Sequence, residues 1–177
     1  MTSTQRTDES RLSPENVALR SLQAMSDGDL PAFTACTSPT AVNREAHAEP
    51  PACRTGGPAG FLASARWLHS AFADLSWTVE DVAATGDLVA VGCRMQGRQH
   101  GTFGVYGADG RVRQAFPSRG RAFSVVQTHW FRVQGGLVVE HWAVRDDLGL
   151  AEQLGWVPPS PRYLVRMALA RRALRTQ

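Results

Sequence analysis

The sequence predicts an α+β domain in which helices pack on one face of a curved antiparallel sheet, and three observations predict it. Apolar residues recur at helical spacing over 17–25 and again over 61–72, then switch to a strand-like period of two. The second half is punctuated by glycine turns, as in a meander. The clearest hairpin of the chain, Ala122–Val133 and Leu137–Arg145 around Gln134-Gly135-Gly136, comes near the end.

The first helix opens at Ser13-Pro14-Glu15, a capping serine followed by proline at the first helical position, and runs to Asp27-Gly28 with Val17, Leu22 and Met25 on one side. A short second helix starts from an Asp29 cap and reaches about Cys36, leading to a strand near Ala41-Val42-Asn43. From His47 to Gly60 the proline and glycine content is read as excluding a regular element, and loops of this length often form lids or rims. Gly57-Pro58 opens a third helix with Phe61, Leu62, Ala65, Leu68 and Phe72 on its apolar face, ended by Asp74-Leu75. Ser76–Ala83 is a strand, Gly86-Asp87 a turn, and Leu88–Met95 a strand apolar on both sides, so both of its faces are expected to be covered. Gln96–Val105 is expected to continue the sheet, with turns at Gly107–Gly110 and Pro117–Gly120. The chain therefore divides into a flexible tail over 1–12, one domain over 13–157, and an arginine-rich helical segment over 158–177.

Composition excludes several classes of function. No apolar run approaches the roughly 20 residues of a membrane span, and Met1–Leu12 lacks an apolar stretch behind a basic start, so a cytoplasmic protein is expected. There is no lysine, which removes Schiff-base catalysis by that side chain. Cys36, Cys53 and Cys93 match no redox or zinc spacing and are read as free thiols without a catalytic role. The net charge of +3 arises in the tail: residues 161–177 hold five of the 19 basic residues and none of the 16 acids, leaving residues 1–160 at 14 arginines against 16 acids. The mildly acidic body argues against a nucleic-acid surface. The basic helix is expected to pack Tyr163, Leu164 and Met167 on the body or a sister subunit and leave its arginines in water, rather than lie on a membrane. No metal-ligand spacing such as HExxH and no phosphate loop is present. Trp67, Trp77, Trp130 and Trp142 are read as core or oligomer contacts.

The run from Gln127 to Gly155 carries the most specific pattern: Gln127-Thr128-His129, Arg132, the Gly135-Gly136 turn, Glu140-His141-Trp142, and Gly149-Leu150-Ala151-Glu152-Gln153-Leu154-Gly155. Weaker elements are Ala71–Leu75, Gly97 with Gly101, Phe116-Pro117 and Gly120-Arg121. With these residues, from Asn16 to Gly155, the chain resembles the SnoaL-like polyketide cyclases, small α+β cones of the nuclear-transport-factor-like superfamily. The resemblance implies a homo-oligomeric cone, dimer or tetramer, whose helices close the concave face of the sheet over a pocket. It implies ring closure of a flat apolar polyketide ester by an intramolecular aldol reaction, without metal or organic cofactor. His129 falls on the family's histidine position, whereas the acid/base aspartate position is occupied by Ala143.

Strand alternation says what could stand in for that carboxylate. Gln127, His129 and Phe131 share one face of their strand; His141, Ala143 and Arg145 share one face of the next. Imidazoles exchange protons near neutral pH, and a pocket arginine can stabilise an enolate oxygen. Asp146, turned inward by a slight bulge, is the candidate partner of His129, with helix capping as its alternative role, while Asp147 is read as the cap of Leu148–Leu154. The expected site is thus His129 and Asp146 as acid/base pair, with His141, Arg145, Gln127, Phe131, Gln99 and Met95 around the substrate. Gln99 stands where relatives carry a histidine, and His100 is displaced to the other face. The expected function is a cofactor-free cyclase or isomerase. A non-catalytic binding cone and an epoxide-opening hydrolase or cyclase are the alternatives.

Overall fold

In the computed structural model, which describes residues 13–176, helices cover one face of a curved five-stranded sheet. The expected tail over 1–12 and the final Gln177 lie outside the described residues. Helix α1, Pro14–Asp27, begins where Ser13 Oγ accepts the Asn16 N–H at 3.3 Å, and it ends at Gly28, whose φ of 64° closes the last turn onto Ala24 O. The short α2, Leu30–Cys36, is capped by the Asp29 carboxylate and runs straight into β1, Thr37–Asn43. After two 3₁₀ turns, α3 spans Gly57–Ala71; a side chain at Gly57 would collide with the Pro39 carbonyl, which explains glycine there.

The sheet then forms as strands β2 (Phe72–Thr85), β3 (Leu88–Gln99), β6 (Ala122–Gln134) and β7 (Leu137–Arg145). Between β3 and β6 the chain leaves the sheet to make a separate hairpin, β4 (Phe103–Tyr106) and β5 (Val112–Phe116). The β6–β7 turn is the two-residue Gly135-Gly136, both at positive φ (57° and 76°). That geometry matches the right-handed twist of the strands it joins. Strand order is β1-β7-β6-β3-β2, antiparallel except at the edge, where β1 runs parallel to β7 with Asn43 opposite His141.

Two apolar clusters hold the layers together. In one, Val17, Ala18 and Leu22 of α1, Phe33 of α2 and Phe61 and Ala65 of α3 meet Val89, Val91, Phe131 and Val138 of the sheet. The other gathers Phe72, Met95, Phe123 and Val125 around α4 (Asp147–Leu154), Trp156 and Tyr163 of α5 (Pro161–Leu174). Among the described residues no helix is long and apolar enough to cross a membrane.

Several expectations for local structure are corrected. The 47–60 segment is not irregular: Arg44–Ala48 and Pro51–Thr55 form 3₁₀ turns. The guanidinium of Arg54 fastens this segment by donating to the carbonyls of Ala46, His47, Glu49, Gly107 and Ala108. Helix α3 stops at Ala71, so Phe72 opens β2 instead of ending the helix. Strand β3 stops at Gln99 because Gly101 passes directly under the end of α3, where His100 and Gly101 both donate to Ala71 O. Only one face of β3 is fully covered, that of Val89, Val91, Cys93 and Met95. In α5, Tyr163 is buried and its hydroxyl donates to Pro117 O, but Leu164 is half exposed. Its arginines are not all left to water: Arg166, Arg171 and Arg175 reach carbonyls of Ser118, Arg113 and Val112.

Candidate active site

The ladder between β6 and β7 brings the expected residues onto one inner face, with Gln127 opposite Arg145, His129 opposite Ala143 and Phe131 opposite His141. They line a cavity of about 320 Å³ between the sheet, α1, α3 and the β4–β5 hairpin. Met95, Gln127, His129, Phe131, His141, Ala143 and Arg145 all face it. One end is apolar and flat-walled: Trp156 stacks with both Phe103 and Phe116, with both pairs of planes at 17° and ring centroids 5.4 and 4.4 Å apart. The other end concentrates the polar groups.

There a continuous chain of hydrogen bonds crosses the cavity wall. Asn43 Oδ1 sits 3.0 Å from His141 Nδ1, His141 Nε2 sits 3.0 Å from His129 Nδ1, and His129 Nε2 sits 2.8 Å from Gln127 Oε1. Both ends are acceptors, because Asn43 Oδ1 also receives the Glu45 N–H and Gln127 Oε1 also receives the Trp77 indole N–H. Three gaps therefore call for three ring protons, whereas two neutral imidazoles carry two. Burial disfavours the charged form of each ring: His129 is pushed down to about 3, and His141 well below the usual histidine range, with the Arg145 charge adding to both shifts. The neutral pair thus leaves one of the three gaps without a proton. Depending on the tautomer, His129 Nε2 donates or accepts a hydrogen bond at the cavity.

Other polar groups at this end come from the segment after β1. The buried Glu49 accepts the Ser64 hydroxyl in a short hydrogen bond, Ser64 also receives the Asn43 amide, and burial pushes the Glu49 carboxyl above the usual carboxylate range. Glu45 pairs with Arg145 at 3.1 Å, and Arg145 also lies 3.5 Å from Asp147. Asn43, Glu45, Glu49 and Ser64 were not legible as site residues. The one signal was Glu49, which falls in the His47–Gly60 segment read as a lid or rim; Asn43 and Glu45 lie just before it.

Two expected site residues are corrected. Asp146 does not turn inward; it is exposed, and its carboxylate accepts the Gly149 N–H at 2.8 Å as the cap of α4, the role expected of Asp147. The helix start captures Asp146, since its free N–H groups are the nearer partners. Asp147 is instead the first helical residue and lies at the cavity rim beside Arg145. Asp146→Ala should lower stability by about 1 kcal/mol in chemical denaturation and leave ligand binding in the cavity unchanged. Gln99 is fully buried but spent on structure: its amide donates to Gly101 O and Phe116 O and accepts the Trp156 indole N–H. Of the tryptophans read as core or oligomer contacts, Trp77 packs against both apolar clusters and also lines the cavity, Trp67 lines it too, and Trp130 and Trp142 stack on each other outside its lining.

The three cysteines are buried free thiols. Burial raises all of them, Cys53 to about 12 and Cys93 to about 11, so none offers a thiolate. Among the described residues no group of three or more histidines, cysteines or acids is arranged to hold a metal ion.

Comparison with known proteins agrees with this architecture. TsrD from Streptomyces laurentii is 30% identical, with 78% of this chain and 92% of TsrD covered at a TM-score of 0.63. IdmH from Streptomyces antibioticus, provisionally a polyketide cyclase, is 27% identical over 81% of this chain and 99% of its own, at a TM-score of 0.59. AclR from Streptomyces galilaeus, provisionally a hydroxylase, is 25% identical over 91% of this chain and 92% of its own, at a TM-score of 0.59. No protein of curated function matches the sequence. The SnoaL-like polyketide cyclase model matches residues 16–154, from α1 to the end of α4, and the chain belongs to that family.

Proposed function

We propose that this protein is a cofactor-free acid/base enzyme of the cyclase or isomerase type, acting on a flat, apolar polyketide-like metabolite. The observation that carries this reading is the Asn43–His141–His129–Gln127 hydrogen-bond chain at the polar end of an otherwise aromatic cavity. A carbonyl of the substrate placed at that end meets a neutral imidazole pair that can present an N–H donor and the positive charge of Arg145. Both favour an enolate oxygen as charge develops on it. The flat walls formed by Phe103, Phe116 and Trp156 suit fused rings. The same proposal includes self-association, for which exposed Val126 and Val144 supply apolar surface.

The direct test uses 2-tetralone, a flat bicyclic ketone with exchangeable protons next to its carbonyl, in D₂O with NMR detection. Saturable exchange above the buffer rate is expected. Saturable binding without exchange would instead identify a binding protein that has the cavity and no chemistry.

A second reading, an epoxide-opening hydrolase, is favoured by the Glu45–Arg145–Asp147 arrangement, an acid on each side of a guanidinium. The Asp147 side chain is 72% exposed at the rim, which suits a buried acid poorly and places this reading second. Hydrolysis of styrene oxide to its diol would reverse that order.

A further inference from the structure

The imidazole pair serves an oxygen well but a carbon poorly. Pulling a proton from carbon needs a group that carries it away with some affinity, and burial opposes charge on both rings. The cavity therefore requires another base, and its geometry supplies a candidate that strand β7 does not carry. Opposite His129 that strand offers only the methyl group of Ala143.

We propose that Glu45 is the general base of this cavity, a carboxylate delivered from the turn after β1 and laid over Ala143 to remove a carbon-bound proton. The inference rests on the acid/base reading above. Glu45 Oε1 accepts the backbone N–H of Ala143 at 3.1 Å, so the carboxylate is fixed above that position of the strand. Its other oxygen pairs with Arg145 at 3.1 Å, and the side chain is only 14% exposed while lining the cavity. A carboxylate has about four lone-pair sites, so after these two contacts each oxygen keeps one for a substrate proton.

Asn43 ties this base to the imidazoles. Its Oδ1 accepts the Glu45 N–H at 3.2 Å and lies 3.0 Å from His141 Nδ1, so one amide oxygen registers both groups. The other cavity acids fit less well. Glu49 is buried against Ser64, and Asp147 stands at the exposed rim.

The step balances without a co-reactant. A Glu45 oxygen takes the proton from the carbon next to a carbonyl, the C–H electron pair becomes the C=C bond, and the carbonyl π pair moves onto oxygen beside Arg145 and the imidazole chain. In ring closure the resulting carbon nucleophile attacks a second carbonyl of the same molecule, and the new alkoxide takes up the proton.

The test measures 2-tetralone proton exchange in D₂O by the full-length wild type, Glu45→Gln, Glu45→Gln with Ala143→Asp, and His129→Ala. Glu45→Gln should lower kcat by about 10²-fold with KM within about threefold. Adding Ala143→Asp, a carboxylate on the strand beneath, should regain about tenfold. Exchange by Glu45→Gln within about twofold of wild type, a loss confined to KM, or a loss that Ala143→Asp does not restore would each overturn the assignment. If Glu45→Gln melts at a lower temperature than wild type, Glu45→Asp is measured under the same criteria, with about tenfold loss expected. Loss in His129→Ala with none in Glu45→Gln leaves the acid/base reading standing and removes Glu45. A wild type inert toward 2-tetralone overturns both.

Discussion

Replacing His129 with alanine is expected to slow cavity-catalysed proton exchange by about 10²–10⁴-fold while the protein still folds. His129 is the central link of the buried chain, hydrogen-bonded to His141 on one side and Gln127 on the other. Without it the cavity loses an imidazole N–H that can face an enolate oxygen, and His141 Nε2 no longer connects to the cavity's Gln127 end. The substitution also leaves the buried His141 Nε2 without its partner, while Gln127 Oε1 keeps the Trp77 indole N–H, at a cost of about 1–3 kcal/mol. Water entering the space of the lost ring repays part of that cost. Folding is checked by circular dichroism and exchange by NMR on the same sample. A folded His129→Ala protein that exchanges within threefold of wild type would remove the imidazole pair from the mechanism.

The largest loss of stability is expected from Phe33→Ala. Phe33 is completely buried between α1, α3 and the sheet, and its ring lies 6.1 Å from that of Phe61, which in turn lies 6.1 Å from the His141 ring. Truncating a buried phenylalanine costs about 3–5 kcal/mol, from lost transfer energy and the void left behind. In a domain whose whole stability is about 5–15 kcal/mol, this should lower Tm by roughly 10 °C. Phe33 is not among the side chains that line the cavity, so KM for 2-tetralone should stay within threefold below the transition. A change under 1 kcal/mol in denaturant unfolding would show that the helical layer repacks around the gap. A large KM change would show instead that Phe61 and the imidazoles depend on Phe33 for position.

The inner face of β6 was legible because strand alternation is a local rule that puts Gln127, His129 and Phe131 on one face; a bulge between Arg132 and Val133, beyond the Gly135-Gly136 turn, then shifts the pairing by one residue and sets Arg145, Ala143 and His141 opposite them. Capping signals at Ser13 and Asp29 were equally local, and both caps form as expected. Asp146 shows the limit of such rules. Capping and catalysis ask for the same residue type at the same place, and only the backbone direction at the end of β7 sends its carboxylate to Gly149. Gln99 shows another limit, since its amide is spent on Phe116 and Trp156, partners 17 and 57 residues away.

The sequence by itself determined the α+β class, the helix caps, the hairpin that carries His129 and His141, and the methyl group at Ala143. These follow from periodicity, turn chemistry and residue identity, all of which act over a few residues. Only the tertiary structure decided that β1 pairs in parallel with β7. That pairing sets Asn43 against His141 across 98 residues of chain and swings Glu45 over Ala143 at the same separation. A parallel edge contact is made by long-range packing and leaves no periodic trace in the sequence, so the carboxylate missing from the strand was not visible until the fold supplied it from elsewhere.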